Sequence, residues 1–218
     1  MSTTASSLDG VPGARRRAPR LGYVVAAAAA GLACWFLYKA ASPYLHWDAA
    51  HYGRYWSARG WLALHVGGGL LALACGAFQL WSGLNGRTSG AHRLSGRLYA
   101  LGVVAGSVGG LWIAIVRPAF PTLGPPLIML AAAWLSTTGL AVAAIRRGQV
   151  ALHKELMIRS YVVTFAFVFF RWWADSPVFT DFSLPERFST IGWLCWTLPL
   201  LVTELILQGR RIASARPA

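Results

Sequence analysis

Six stretches of the chain, 21–41, 61–81, 98–116, 125–145, 157–174 and 189–208, are long and apolar enough to cross a bilayer as helices. A hydrocarbon core of about 30 Å takes about 20 helical residues, since each residue rises about 1.5 Å. Inside lipid every backbone amide must be bonded within the protein, and a single apolar run achieves that only as a helix. The expectation is therefore an all-α, polytopic membrane protein, a six-helix transmembrane bundle over 21–208. A disordered basic tail over 1–20 precedes it and a short basic tail over 209–218 follows. Composition narrows the alternatives: charged residues make up only 12% of the chain, against about 25% in soluble domains. A soluble enzyme, a disordered chain and a disulfide-stapled secreted domain are excluded.

Charge then orients the bundle. Twenty Lys and Arg face seven Asp and Glu, a net charge of +13, and the basic residues cluster at the ends of the apolar runs. Threading through six spans places Lys39, Arg54, Arg59, Arg117, Arg171 and Arg187 on one side and the other 14 basic residues on the opposite side. The positive-inside rule assigns the richer side, with both termini, to the cytoplasm of a bacterial inner membrane. The first run reads as a retained helix rather than a cleaved signal: 21–38 is longer than a usual signal core, Lys39 sits where small residues should follow, and cleavage would strand an odd number of spans. Cys34, Cys75 and Cys195 all fall inside spans and behave as small apolar residues. The positive charge serves topology, no nucleic-acid motif accompanies it, and the lipid bilayer is the evident partner.

Polar side chains within a span are costly and usually face the bundle interior. In the fifth stretch His153, Ser160, Thr164 and Arg171 fall within about 20° of one line at 100° per residue. The second stretch carries His65, Gly69, Ala72, Gly76 and Gln79 on one face, the third His92, Tyr99, Gly102, Gly106 and Gly110, and the sixth Thr190, Trp193, Thr197 and Glu204. These faces predict a core of the second, third, fifth and sixth helices, braced by the first and fourth. Gly102-xxx-Gly106-xxx-Gly110 is a close-packing pattern of membrane helices, and it also leaves clearance for a ligand. A short internal repeat is visible, with His92, Arg97 and Tyr99 in one cytoplasmic turn and His153, Arg159 and Tyr161 in the next.

Several motifs in order resemble a bacterial family of predicted membrane proteins, domain of unknown function 2306. They are His65-x-x-x-Gly69, Gly76-Ala77-Phe78-Gln79, His92-Arg93-x-x-Gly96-Arg97-x-Tyr99, His153-x-x-x-Met157-Ile158-Arg159-Ser160-Tyr161, Arg171, and Trp193-Leu194-Cys195-Trp196 followed by Glu204. The likeness covers about residues 60–208. Ala77, Leu156 and Leu198-Pro199 depart from the usual residues of that family. The resemblance implies the fold and the membrane location and brings no activity with it.

The histidines suggest chemistry. Neutral imidazoles on facing helices hold haem iron in membrane b-type cytochromes, so His92 and His153 are candidate bis-His ligands of a haem b in an electron-transfer protein. Such a protein would be a membrane oxidoreductase subunit if it is an enzyme at all. Histidine beside arginine at a membrane edge also binds lipid phosphate or caps a helix. His65, about 9 Å outward of its span's centre, suits a second centre with His46 or His51, or a quinone hydroxyl. Arg171 either snorkels to Asp175 or holds an anionic group such as a haem propionate. Glu204 needs Arg97, Arg159 or a histidine beside it, or must be protonated, and Glu155 and Arg159 are spaced as an i,i+4 pair. The rival readings are a proton-coupled transporter or channel using His65, Glu204 and Arg171, and a non-catalytic accessory subunit. A quinone, a redox partner protein and a second copy of the chain complete the candidate partners.

Overall fold

The computed structural model describes residues 20–214, and every regular element among them is helical. Helix α1 (Arg20–Phe36) continues through a π-helical turn at Leu37–Ala41. The short α2 (Ala49–Tyr52) lies in the connection to α3 (Arg59–Leu84). Then come α4 (Gly90–Val116), α5 (Gly124–Arg146), α6 (Val150–Thr164), α7 (Ala166–Ala174) and α8 (Leu184–Ser214). Five segments among the described residues, Ala49–Leu84, Gly90–Val116, Pro121–Arg146, Val150–Ala174 and Leu184–Ser214, are long and apolar enough to cross a membrane. The chain is thus an all-helical, multi-pass membrane protein whose surroundings are a lipid bilayer. The tail expected over 1–20 lies outside the described residues except for Arg20, as do residues 215–218 of the C-terminal tail.

Two helices begin earlier than hydropathy predicts. α4 starts at Gly90 and α6 at Val150, so His92 and His153 sit in the first turns of helices rather than in the turns between them. Arg93 and Arg97, and Lys154, Glu155 and Arg159, depress the local hydropathy without interrupting helical hydrogen bonding. The fifth expected span is broken at Phe165. Thr164 Oγ1 donates to the Ser160 carbonyl at 3.0 Å, a back-bond that competes with the helical ladder and bends it.

Packing corrects the expected core. α5, predicted to brace from outside, supplies Leu130, Trp134, Thr138 and Ala141 to the buried centre, because its small residues admit α4, α6 and α8 around it. In α8 the inward face is Ile191, Gly192, Cys195 and Trp196, whereas Trp193 is 39% exposed. Thr197 Oγ1 donates to the Trp193 carbonyl at 2.7 Å; satisfied within its own helix, it is not drawn inward. α1 packs from outside, as expected, through Ala29, Leu32, Ala33 and Phe36 against Leu73, Phe165 and Val168.

α3 and α4 meet backbone to backbone. A Cβ on Gly68 would lie 2.4 Å from Gly106 N and 2.7 Å from Gly102 O, and one on Gly109 would lie 2.5 Å from Trp61 O. Gly102 and Gly106 therefore serve close packing. Gly110 serves another purpose, since its Cβ would stand 2.8 Å from His65 Nδ1.

Candidate functional site

The α3 start, α4 end, α5 start and α7 end share one end of the bundle. There a cavity of about 380 Å³ is lined by α1, α3, α4, α5, the end of α6, α7 and the first turns of α8. This is within the range of small-molecule sites. Its walls are mostly apolar, with Phe167, Phe188, Leu127 and Val66 among them, and it reaches from Arg54 and Arg171 down to Trp134 and Thr164.

His65 is fixed in that wall. Its Nδ1 is 2.7 Å from the Gly106 carbonyl; a carbonyl can only accept, so Nδ1 carries the proton and Nε2 keeps a lone pair. Gly110 makes room for the ring, and Phe167 packs edge-on against it at 4.9 Å. Ser107 also lines the cavity, and its hydroxyl is buried with no hydrogen-bond partner. The half-buried Arg171 was expected either to meet Asp175 or to hold an anion. No ion pair between Arg171 and Asp175 occurs, and Arg171 makes no side-chain hydrogen bond among the described residues; it borders the cavity instead. Arg54 is anchored at the rim, donating to the Pro118 and Ala119 carbonyls at 3.1 Å each.

His92 and His153 lie at the opposite end. Ser82 Oγ lies 2.7 Å from the Phe78 carbonyl and 2.7 Å from His92 Nδ1; when its proton goes to the carbonyl, it accepts from His92 Nδ1–H. His153 Nδ1 donates to the Ala141 carbonyl at 2.9 Å. In all three family-pattern histidines Nδ1 lies against an oxygen, and with the proton on Nδ1 the ring keeps Nε2 as a base or ligand. That is how second-shell oxygens orient metal-bound imidazoles. Gln79 Nε2 donates to the His92 carbonyl and to Ser95 Oγ at 2.6 Å, bracing the first turn of α4, and Gly96 leaves room for it.

Between the two ends lies a buried hydroxyl cluster. Tyr99 Oη is 2.6 Å from Ser160 Oγ and 2.9 Å from Thr164 Oγ1. Thr138 Oγ1 is 2.7 Å from Ser160 Oγ, and Trp134 Nε1 donates to Thr164 Oγ1 at 3.0 Å. Tyr161 Oη donates to the Leu73 carbonyl at 3.0 Å. The two tyrosines of the internal repeat converge on Gly76, whose Cβ would clash with both rings.

Glu204 finds the partner it needs in Arg159, with Nη2 at 2.7 Å and Nε at 2.9 Å. Glu155 takes Arg159 at 3.4 Å as the i,i+4 spacing predicts, and Arg211 besides. Gln208 Nε2 donates to the other Glu204 oxygen at 2.6 Å. Arg97 is exposed. The structure thus brings His65 and Arg171 to one cavity, places His92 and His153 at the other end, and leaves Glu204 in an ion-pair network apart from His65 and Arg171.

Sequence reasoning missed Ser82, Ser107, Trp134 and Thr138, whose type and spacing are those of ordinary helix residues. It took His46 and His51 only as partners for His65 and passed over their grouping with Asp48, His46-x-Asp48-x-x-His51. The ligand atoms of these three residues lie within 4.8 Å of one another, and their spacing could have flagged them. Asp48 caps α2 and accepts from both the His51 amide and its ring. These bonds, the amide's first, hold its carboxyl below the usual range.

Comparison with known proteins gives one match. A family model described as Predicted membrane protein (DUF2306) covers residues 62–207. No curated protein and no solved structure matches the chain.

Proposed function

Since the chain belongs to this family of predicted membrane proteins, we propose that it is a b-type haem-binding electron-transfer protein of the bacterial inner membrane. In this reading α1 is a sixth span and both termini are cytoplasmic, as the 14 basic residues on their side of the bilayer favour. His92 and His153 are the haem ligands, near the cytoplasmic edge. The observation that carries the reading is the shared placement of these imidazoles: Nδ1 is held by Ser82 Oγ in one and by the Ala141 carbonyl in the other.

The donor set fits the group. Bis-His ligation requires neutral rings presenting Nε2, and a ring held through Nδ1 by Ser82 Oγ or by the Ala141 carbonyl keeps Nε2 free to ligate. When bound, a haem supplies one-electron chemistry. The chain holds and orients it: Ser82 and Ala141 set the tautomers, and Gln79 fixes the backbone that carries His92. His65 and Arg171 lie at the other end and take no part in holding this haem.

The test is a reduced-minus-oxidised visible spectrum of detergent-purified protein from haem-replete cells. Soret and α bands are expected, lost in both His92→Ala and His153→Ala. A wild-type protein without these bands overturns the proposal.

A further inference from the structure

The cavity at the Arg171 end is a built site with unmet polar demands. Ser107 Oγ is buried without a partner, although a helical serine ordinarily bonds back to its own helix. His65 Nε2 presents a lone pair, because Nδ1–H is committed to Gly106. Arg171 offers a guanidinium that no side chain engages among the described residues. A buried polar group without a partner is costly, so an occupant that met these groups would recover that cost.

The three groups specify its chemistry. His65 Nε2 requires a donor, which excludes a fatty-acid carboxylate as the natural match. Arg171 requires an acceptor, and the Ser107 hydroxyl serves either role. Arg54 and Thr164 also border the cavity but are already bonded to backbone carbonyls, and most of the remaining wall is apolar or aromatic, with Phe167, Phe188 and Trp134, which suits a flat ring. We infer that this cavity binds the head group of a quinol or quinone: one ring hydroxyl donates to His65 Nε2, and the oxygen across the ring accepts from Arg171 or Ser107. The oxidised ring keeps the bonds from Arg171 and Ser107 and loses the one to His65, so the quinol binds more tightly than the quinone. Binding does not depend on the haem reading; any passage of electrons from this site to His92 and His153 does.

Gly69 provides a clean probe. It lines the cavity, and a Cβ there meets no atom within 4 Å, so Gly69→Leu fills the site without disturbing the α3–α4 contact. The experiment titrates purified protein in lipid nanodiscs with decylubiquinol and decylubiquinone, reading quenching of tryptophan fluorescence with Trp134 as the wall reporter. Saturable binding is expected, tighter for the quinol. Gly69→Leu and His65→Ala should each weaken quinol binding at least about tenfold, roughly 1.4 kcal/mol. Leu101→Ala, on the exposed face of α4, should leave it unchanged. The inference is overturned by the absence of saturable binding, by Gly69→Leu binding as wild type does, or by palmitate displacing the quinol at equal concentration. It is also overturned by a haem lost in His65→Ala and kept in His92→Ala, which would make the cavity a haem site. Quinol binding without visible haem bands would sink the haem reading alone, and haem bands without quinol binding would sink this one alone.

Discussion

Arg159 on α6 and Glu204 on α8 form a two-pronged ion pair, with Nη2 and Nε of the guanidinium both on one carboxylate oxygen. With Glu155 and Arg211 on either side, the pair ties the start of α6 to the end of α8. Loss of Glu204 leaves Arg159 with Glu155 alone, and loss of Arg159 leaves the Glu204 carboxylate with Gln208 and no paired cation. Glu204→Gln and Arg159→Gln are each expected to lower the melting temperature by a few degrees. The double variant should fall short of the sum, and full additivity would show that the two side chains do not interact.

The α3–α4 contact leaves no room for side chains. Gly68→Ala puts a Cβ 2.4 Å from Gly106 N, and backbone atoms cannot swing aside, so the helices must part. A loss of about 3 kcal/mol is expected, at the upper end for overpacking. Gly67→Ala meets nothing within 4 Å and should be neutral or slightly stabilising. Unfolding in mixed micelles measures both, and equal effects would contradict the contact.

Tyr99→Phe removes one hydroxyl from the central cluster. Ser160 keeps Thr138, and Thr164 keeps Trp134, so neither is orphaned and the desolvation penalty does not apply. The expected loss is about 1 kcal/mol, close to that of a single hydrogen bond between membrane helices. A loss several times larger, by the same unfolding assay, would mean that the hydroxyls act as one cooperative unit.

Ser82→Ala deprives His92 Nδ1 of its acceptor and leaves the helix intact. If His92 ligates haem, affinity should drop by roughly 10–100-fold with the spectrum of the bound form retained. Apoprotein titrated with haem reports this, and an unchanged affinity would deny Ser82 its orienting role.

Orientation is open to thiol labelling. In a Cys34→Ala background, cysteine at Asp181 should react with a membrane-impermeant reagent in spheroplasts, and cysteine at Arg147 only after lysis. The reverse pattern would invert the topology.

The apolar runs made the helices legible before any coordinates, since lipid leaves the backbone no other solution. The starts of α4 and α6 were hidden for a local reason: His92, Arg93 and Arg97, and Lys154, Glu155 and Arg159, look like loop to a hydropathy scale although their amides continue the helix. Stripe analysis placed Ser160, Thr164 and Tyr99 inward because costly groups have few places to go. It misplaced Thr197, which its own helix satisfies, and it missed Trp134, whose helix was expected to brace the core from outside. The cavity was not legible at all. It depends on where seven helices fail to fill space, and Gly69 and Gly110 look alike in sequence, although only Gly110 is pressed by a side chain.

The glycine seam also bears on leakage. Where Gly68 rests on Gly102 and Gly106, the two backbones leave no gap for a water file, so this face of the bundle is an electrical insulator across the depth it covers. The cavity beside it ends on Trp134 and Thr164, which are bonded to one another and, through Thr164, to Tyr99. If the cavity holds a quinol, the seam and this plug close the direct path from its floor to the far end of the bundle, so that a deep binding site need not be a leak.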